Sequence, residues 1–399
     1  MIARAIRGTN QIGGSIIEVS TASTRLILDV GSELGESDPQ PPCLKGLFQG
    51  NACVDAVLIS HYHSDHIGLI DSVLPSVPIY MGTDAYRIYE ASCSYSDKEI
   101  RSGVKTFLPG EKFVIGGISI TPILCDHSAF DSYMFFLEGD GKSVLYTGDF
   151  RSNGRKSFAS LLRRLPHADL LITEGTTLSG THSLARTEAD LENEAVKAIE
   201  TRGEKPVFVN MAATNIDRIV TVYKAAQRTG RILLMDAYTA HIARAAGGSI
   251  PRPGFRGIRV FLTNPTEKNY QLLESFGKAK IGRVAITKEK YVMTVRPSMK
   301  GYLQKLAGLQ DFRGGLFFYS LWSGYLEQKS TADFVSFMKE KGVDVEMLHT
   351  SGHADALALD KLIEKVDPSI ILPVHTENPS WFERYKEKEI VLESEPIAL

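Results

Sequence analysis

Residues 59–68 read ISHYHSDHIG, placing His61, His63, Asp65 and His66 within six positions directly behind the apolar run Val57-Leu58-Ile59. The chain has 10 histidines in 399 residues, so three in one hexapeptide is a concentration that a merely polar loop does not require. A buried strand over DAVLIS, followed by a helix opening at HIGLIDSVL, puts the cluster in a strand-to-helix loop, where side chains converge without unpairing a sheet. Neutral imidazole and carboxylate suit Zn²⁺ or a similar divalent ion. Alternate residues of an extended segment point to one side, so His61 and His63 are expected to face one ion, and Asp65 with His66 another.

One hexapeptide cannot close two coordination shells, so further ligands are required elsewhere. Three candidates end apolar runs: His127 after SITPILCD, Asp149 at the end of SVLYTGD, and His375 after SIILPV. Taken singly each reads as a loop or turn residue; their shared position at strand ends is what recommends them.

Hydrophobic residues make up 43% and charged residues 23% of the chain, the balance of an ordinary globular protein. The formal net charge of −2 gives no global positive field, which leaves nucleic acid open as a partner without supporting it. No signal-peptide-like stretch opens the chain and no apolar run reaches the length of a membrane span, so a cytoplasmic protein with no membrane partner is expected. The four cysteines form no C-x-x-C pair and are expected to be reduced thiols.

The first 175 residues or so read as short β-type runs, including a hairpin at EGDGKS, where Asp-Gly supplies the positive φ angles of a tight turn. Beyond about residue 180 the pattern changes. A helix with a cap at Thr187 or Ser183 is followed by KPVFVNMAAT, NIDRIVTVYKAAQRTG and RILLMDAY, a strand-helix-strand rhythm that implies a mostly parallel sheet.

The order LDVG (Asp29), HYHSDH (61–66), CDHS (His127) and TGDF (Asp149) resembles the metallo-β-lactamase superfamily and its HxHxDH signature. TEGTT with Glu174, HTSGHA with His353 and PVHTE with His375 are similar to the three extra motifs of its β-CASP subgroup, the ribonuclease J-like RNA-processing metallohydrolases. The resemblance implies an α/β protein: a metallo-β-lactamase αββα sandwich over 1–180 and 351–399, with an inserted β-CASP-like α/β domain over 181–350. It also implies two Zn²⁺, with Mn²⁺ able to use the same ligands. His61, His63 and His127 would hold the first, Asp65, His66 and His375 the second, and Asp149 would bridge them. Asp29 would orient ligands, Asp65 would also accept a proton from water, His353 would contact the scissile phosphate or protonate the leaving oxygen, and Glu174 would orient His353 or a ligand.

The activity so implied is zinc-dependent hydrolysis of RNA, extending to single-stranded DNA. The alternatives are a hydrolase of a small ester, lactone or thioester on the same fold, and an inactive nucleic-acid-binding partner. Single-stranded RNA or another nucleic acid is the expected partner. With 24 residues after His375, the chain is expected to lack the appended C-terminal domain of ribonuclease J, which leaves its assembly open, a homodimer included. Within 288–305, Lys288, Lys290, Arg296, Lys300 and Lys305 interleave with Tyr291 and Tyr302, a composition suited to single strands although also that of an ordinary solvated face. Trp322, Ser323 and Tyr325 are read as packing residues in preference to base-stacking ones.

Overall fold

The computed structural model describes residues 1–35, 38–99, 101, 103–180, 186–392 and 395–399. The chain divides into two compact units, Met1–Ala185 with Gly352–Leu399, and Arg186–Ser351. In chain order the first unit opens with β1 (Ile2–Arg7), β2 (Ile16–Ser20), β3 (Arg25–Leu28), β4 (Ala56–Ile59), α1 (Ser64–Ile67), β5 (Ile79–Gly82), α2 (Thr83–Ser96) and β6 (Val104–Phe107). It continues with β7 (Phe113–Ile115), β8 (Ile118–Cys125), β9 (Ser132–Gly139), β10 (Lys142–Tyr146), α3 (Phe158–Arg164) and β11 (Leu170–Thr173).

The second unit holds α4 (Glu188–Glu200), β12 (Val207–Asn210), α5 (Ile216–Arg228), β13 (Ile232–Asp236), α6 (Ala237–Ala246), β14 (Ile258–Phe261), α7 (Glu267–Glu274) and α8 (Arg283–Ile286). It then adds β15 (Tyr291–Val295), α9 (Lys300–Ala307), β16 (Leu316–Tyr319), α10 (Lys329–Glu340) and β17 (Asp344–Met347). The chain closes the first unit with α11 (Ala356–Val366), β18 (Ile370–Pro373), β19 (Glu389–Ile390) and β20 (Ile397–Ala398).

Two sheets of seven strands build the first unit among the described residues, in the orders β20-β1-β2-β3-β4-β5-β6 and β19-β18-β11-β10-β9-β8-β7. Alternation decides their packing, because successive strand residues face opposite sides. Val19, Leu26, Leu28, Ala56 and Leu58 of the first sheet and Ile120, Phe135, Leu137, Val144 and Ile172 of the second share one buried core. The opposite face of the second sheet, with Met134, Leu145, Leu171 and Ile371, is covered by Leu161 of α3 and by Leu359, Leu362 and Ile363 of α11. On the first sheet α2 packs against β5 and β6. The layers are therefore helix, sheet, sheet, helix: the αββα sandwich.

Asp140 and Gly141 both take positive φ and close the β9–β10 hairpin. The helix expected at HIGLIDSVL is shorter than its periodicity suggests. Only Ser64–Ile67 forms α1, and a 3₁₀ turn follows at Ile70–Ser72. Gly68 closes the turn, its N–H bonded to the Ser64 carbonyl, while the carbonyls of Ser64, Asp65 and His66 accept from Ser32, Ser15 and Val30. Those long-range bonds hold the turn in place of further helix.

In the second unit the six strands run in the order β14-β13-β15-β12-β16-β17, every pairing parallel. Thr187 caps α4 in a reciprocal capping box with Asp190; Ser183, the other cap considered, lies outside the described residues. Tyr291 and Tyr302 belong to the buried core of this unit with Phe208, Phe317 and Phe334, so they are packing residues and not a stacking surface. The expectation for Trp322 and Tyr325 reverses: they are 61% and 41% exposed.

Candidate metal centre

Every side chain singled out from the sequence for metal chemistry lies in the first unit, most of them at or just beyond a strand's carboxyl end, with Asp65 and His66 in α1 and His353 in the segment before α11. Asp29 follows β3, His61 and His63 follow β4, and His127 follows β8. Asp149 lies past β10, Glu174 follows β11, and His375 follows β18. Asp29 and His375 have φ of 60° and 51°, which for residues with a β-carbon is a strained turn of the kind that collects at functional sites.

The side chains form three groups, the last two sharing Asp149 and His375: His61, His63 and His127; Asp65, His66, Asp149 and His375; and Asp149, Glu174, His353 and His375. Asp149 joins the last two. Its Oδ2 lies 3.2 Å from His66 Nε2, 3.5 Å from His353 Nδ1, 3.8 Å from His127 Nε2 and 3.9 Å from His61 Nε2. His375 Nε2 lies 3.1 Å from Asp65 Oδ2.

The donor set fits divalent cations on a direct observation. His61 Nε2, His66 Nε2 and both carboxylate oxygens of Asp149 are buried without a hydrogen-bond partner among the described residues. A buried carboxylate stays charged only where positive charge meets it, and around Asp149 that charge comes from the imidazoles or from a cation that they and Asp149 would share. Imidazole nitrogens and carboxylate oxygens together are the ligand chemistry of zinc or manganese.

The titration behaviour has the same origin. Burial draws His61 and His127 well below the usual imidazole range and His63 down to about 4, so these three present lone pairs and not protons at neutral pH. Burial opposes charge on His66 as well, but Asp149 and Asp29 outweigh it and hold that imidazole high. Burial likewise disfavours the charged forms of Asp65 and Asp149. It is overcome for Asp65 by the hydrogen bond to His375 and the nearby imidazoles, and for Asp149 by the charges of His375, His66 and His353. Each carboxyl is thereby kept below its ordinary range.

The outer contacts fix which nitrogen the rings of His61, His66, His127, His353 and His375 turn inward. Asp29 accepts from Ser60 N (2.7 Å), Ser60 Oγ (2.7 Å), Tyr146 Oη (2.7 Å) and His66 Nδ1 (2.8 Å). Ser60 Oγ also lies 3.0 Å from His61 Nδ1, so one carboxylate orients His66 directly and His61 through a hydroxyl. Glu174 repeats the device: Oε1 accepts from Phe150 N (2.8 Å), and Oε2 from Thr176 Oγ1 (2.7 Å) and His353 Nδ1 (3.1 Å). Thr176 Oγ1 lies 2.9 Å from His375 Nδ1. His127 Nδ1 donates to the Gly352 carbonyl at 2.5 Å, leaving Nε2 for the site. Such partners set ring tautomers and raise ligand basicity.

Spacing and composition in the sequence do not mark Ser60, Tyr146, Thr176 or Gly352. Ser60 and Thr176 lie inside quoted motifs, yet nothing in spacing tells a hydroxyl that bridges an imidazole to a carboxylate from one in a turn.

The residues around 24–209 match the family model described as beta-lactamase superfamily domain, and those around 333–389 match the Zn-dependent metallo-hydrolase RNA specificity domain. The chain belongs to the metallo-β-lactamase superfamily. Within it, the specificity-domain match marks the β-CASP group. Similar superfamily members include ribonuclease J of Sinorhizobium meliloti, 22% identical over 87% of this chain and 62% of that protein. An RNase J-like protein of Methanocaldococcus jannaschii is 26% identical over 58% of this chain and 56% of its own. Transcription termination factor FttA of Methanosarcina mazei is 24% identical over 59% and 41%. The chain thus spans less than two thirds of the length of these three relatives. A solved structure of a protein of unknown function from Enterococcus faecalis V583 superposes with a TM-score of 0.83 at 21% identity, covering 100% of this chain and 99% of that one, which shows a shared fold. No helix among the described residues is long and apolar enough to cross a membrane.

Proposed function

We propose that the chain is a zinc-dependent phosphodiesterase acting on RNA, with reach to single-stranded DNA. The observation that carries the reading is the convergence of unpartnered buried donors from His61, His66 and Asp149 beside the His353–Glu174 pair. The specificity-domain match and the RNA-named relatives favour a nucleic-acid substrate over a small ester, lactone or thioester.

In this reading His61, His63 and His127 hold one cation, Asp65, His66 and His375 hold the second, and Asp149 is shared. Two divalent ions, when bound, lower the pKa of a water and offset charge on a phosphodiester in displacement. Asp65, kept ionised by its contact with His375, accepts the proton of the attacking water. Burial opposes a proton on His353, but Glu174 and Asp149 overcome it and hold the ring at about 9, so it is protonated at neutral pH. Glu174 fixes the ring through Nδ1, and the side chain, 24% exposed, would protonate the leaving oxygen.

The test joins elemental analysis of the purified protein to turnover of 5′- and 3′-labelled single-stranded RNA, with His63→Ala as blank. Two equivalents of zinc and metal-dependent products absent from the blank are expected, and the product pattern tells endonuclease from exonuclease. Two equivalents of zinc with intact RNA would redirect the assignment to small esters and lactones. His353→Ala is expected to keep its zinc and lose about 100-fold or more in rate, the scale of general acid catalysis; loss of metal would refute the role given to that ring.

A further inference from the structure

The segment following β16, Ser320-Leu321-Trp322-Ser323-Gly324-Tyr325, leaves the carboxyl edge of the parallel sheet in the second unit. Tyr319, at the end of that strand, is buried, whereas the Trp322 indole three residues on is 61% exposed. It is nonetheless held. A β-carbon at Gly324 would meet Cζ3 and Cη2 of the indole at 2.2 and 2.3 Å, so the ring lies directly over the Gly324 backbone, where glycine alone leaves room. The Tyr325 ring stands edge-on to it, 5.5 Å away at 88°. The Trp322 carbonyl accepts from Tyr319 Oη at 3.3 Å and from Tyr325 N at 3.2 Å.

One side of the indole is thus backed by glycine, and the exposure falls on the rest of the ring. A large apolar ring in water, immobilised in advance, forfeits little entropy when a flat partner covers it. Its neighbours Ser323, Glu327, Gln328 and Lys329 are exposed and polar, so the aromatic pair is a small island. A stable protein interface needs about 800 Å² per partner around an apolar centre, which such an island does not supply. A single heteroaromatic ring matches its size.

Its place in the sheet points the same way. Open parallel sheets bind ligands beyond the strands' carboxyl ends, where the crossover connections part to opposite sides. β12 leads through α5 toward β13 on one side, and β16 leads through α10 to β17 on the other, so β12 and β16 flank that point. Asn210, last in β12 and paired in register with Tyr319, is buried with no hydrogen-bond partner for Nδ2 among the described residues. An amide donor awaiting an acceptor and a held aromatic ring at one sheet edge suit a nucleobase, which offers ring acceptors and a π face.

We propose that Trp322, backed by Gly324 and flanked by Tyr325, is a stacking platform for an unpaired base of the strand the chain processes. The inference rests on the nucleic-acid reading above and adds to it a named contact and a preference for unpaired over paired bases.

The test is equilibrium binding of a fluorescein-labelled single-stranded oligouridylate with phosphorothioate linkages, its abasic counterpart and a duplex of equal length, to the zinc-loaded full chain. Stacking of about 1–3 kcal/mol per base means that Trp322→Ala weakens single-strand binding by about 5- to 150-fold, with Trp322→Phe retaining most of it. Neither change is expected to alter binding of the abasic strand, the melting temperature or the zinc content. Equal single-strand binding by parent and Trp322→Ala overturns the platform, as does parent binding of duplex as tight as that of the single strand. Trp322-dependent self-association in sedimentation also overturns it, in favour of a second copy as the occupant. Zinc-dependent RNA cleavage by the parent, run alongside, separates the two readings. If the parent cleaves RNA and Trp322→Ala binds unchanged, the platform alone falls; a parent that neither binds nor cleaves RNA removes both.

Discussion

Thr176 is the residue on which the second half of the metal centre turns. Its hydroxyl has one proton, and the short contact to Glu174 Oε2 takes it; His375 Nδ1–H then donates to the hydroxyl oxygen, and His375 Nε2 is left facing Asp65. Thr176→Val keeps the volume and removes the bridge, so zinc affinity measured by chelator competition should fall about 10- to 100-fold, as for other outer partners of metal ligands. Thr176→Ser should restore most of it. An unaltered affinity in the valine variant would mean that backbone geometry alone aims His375. At this scale the seven proposed donors could be read from HxHxDH, the strand-end histidines His127 and His375, and Asp149. Their outer partners could not: Ser60 lies 31 residues from Asp29 and Thr176 lies 199 from His375, pairs that exist only once strands distant in sequence are neighbours.

Among elements, the loops that carry ligands are clamped to one another. The Arg151 guanidinium, fully buried, donates through Nε to Asp126 Oδ1 at 2.6 Å, while the Lys156 amide meets Oδ2 at 2.5 Å. The clamp joins the residue before His127 to the loop that holds Asp149. Removing one partner strands a buried charge, so Asp126→Ala should destabilise the first unit by about 3–5 kcal/mol in denaturant titration. Replacing a buried pair wholesale by apolar groups costs far less, which makes the single variant the informative one. The signature turn is fitted as closely: a β-carbon at Gly31 would fall 1.8 Å from the Asp65 carbonyl oxygen. Gly31→Ala must therefore push α1 aside, and a soluble variant is expected to melt lower and bind less than two zinc ions. Periodicity suggested a longer helix here because Ile67, Leu69 and Ile70 are apolar and buried; what ends it is the set of backbone bonds from residues 15, 30 and 32, invisible to a local reading.

At the scale of the whole molecule, all seven proposed donors belong to the unit formed by residues 1–185 and 352–399, so metal removal is expected to have a confined consequence. Chelation should speed hydrogen exchange in the loops at 60–67, 126–131 and 147–151 and around 375, and leave the amides of β12, β13 and β15 as protected as before. The second unit carries its own pH dependence. Burial, with Arg218 nearby, draws His349 down to about 4 against an unfolded value near 6.5. Its contribution to stability is therefore present above about pH 6.5 and is lost as pH falls toward 4, because the unfolded chain takes up the proton first. His349→Gln should flatten that window in melting curves of the zinc-loaded protein, and a slope equal to the parent's would show that other groups dominate it. By itself the sequence carried the residue types of the candidate donors, the strand-end positions of His61, His127, Asp149 and His375, and the change from a β-rich first part to a strand-helix alternation with a parallel sheet, since these follow from residue type and a period of two or 3.6. The tertiary structure decided which hydroxyls and carbonyls orient the rings, that Tyr291 and Tyr302 are core, and that Trp322 lies in the open. Those outcomes depend on which faces are covered, and coverage is a property of packed elements that no single segment carries.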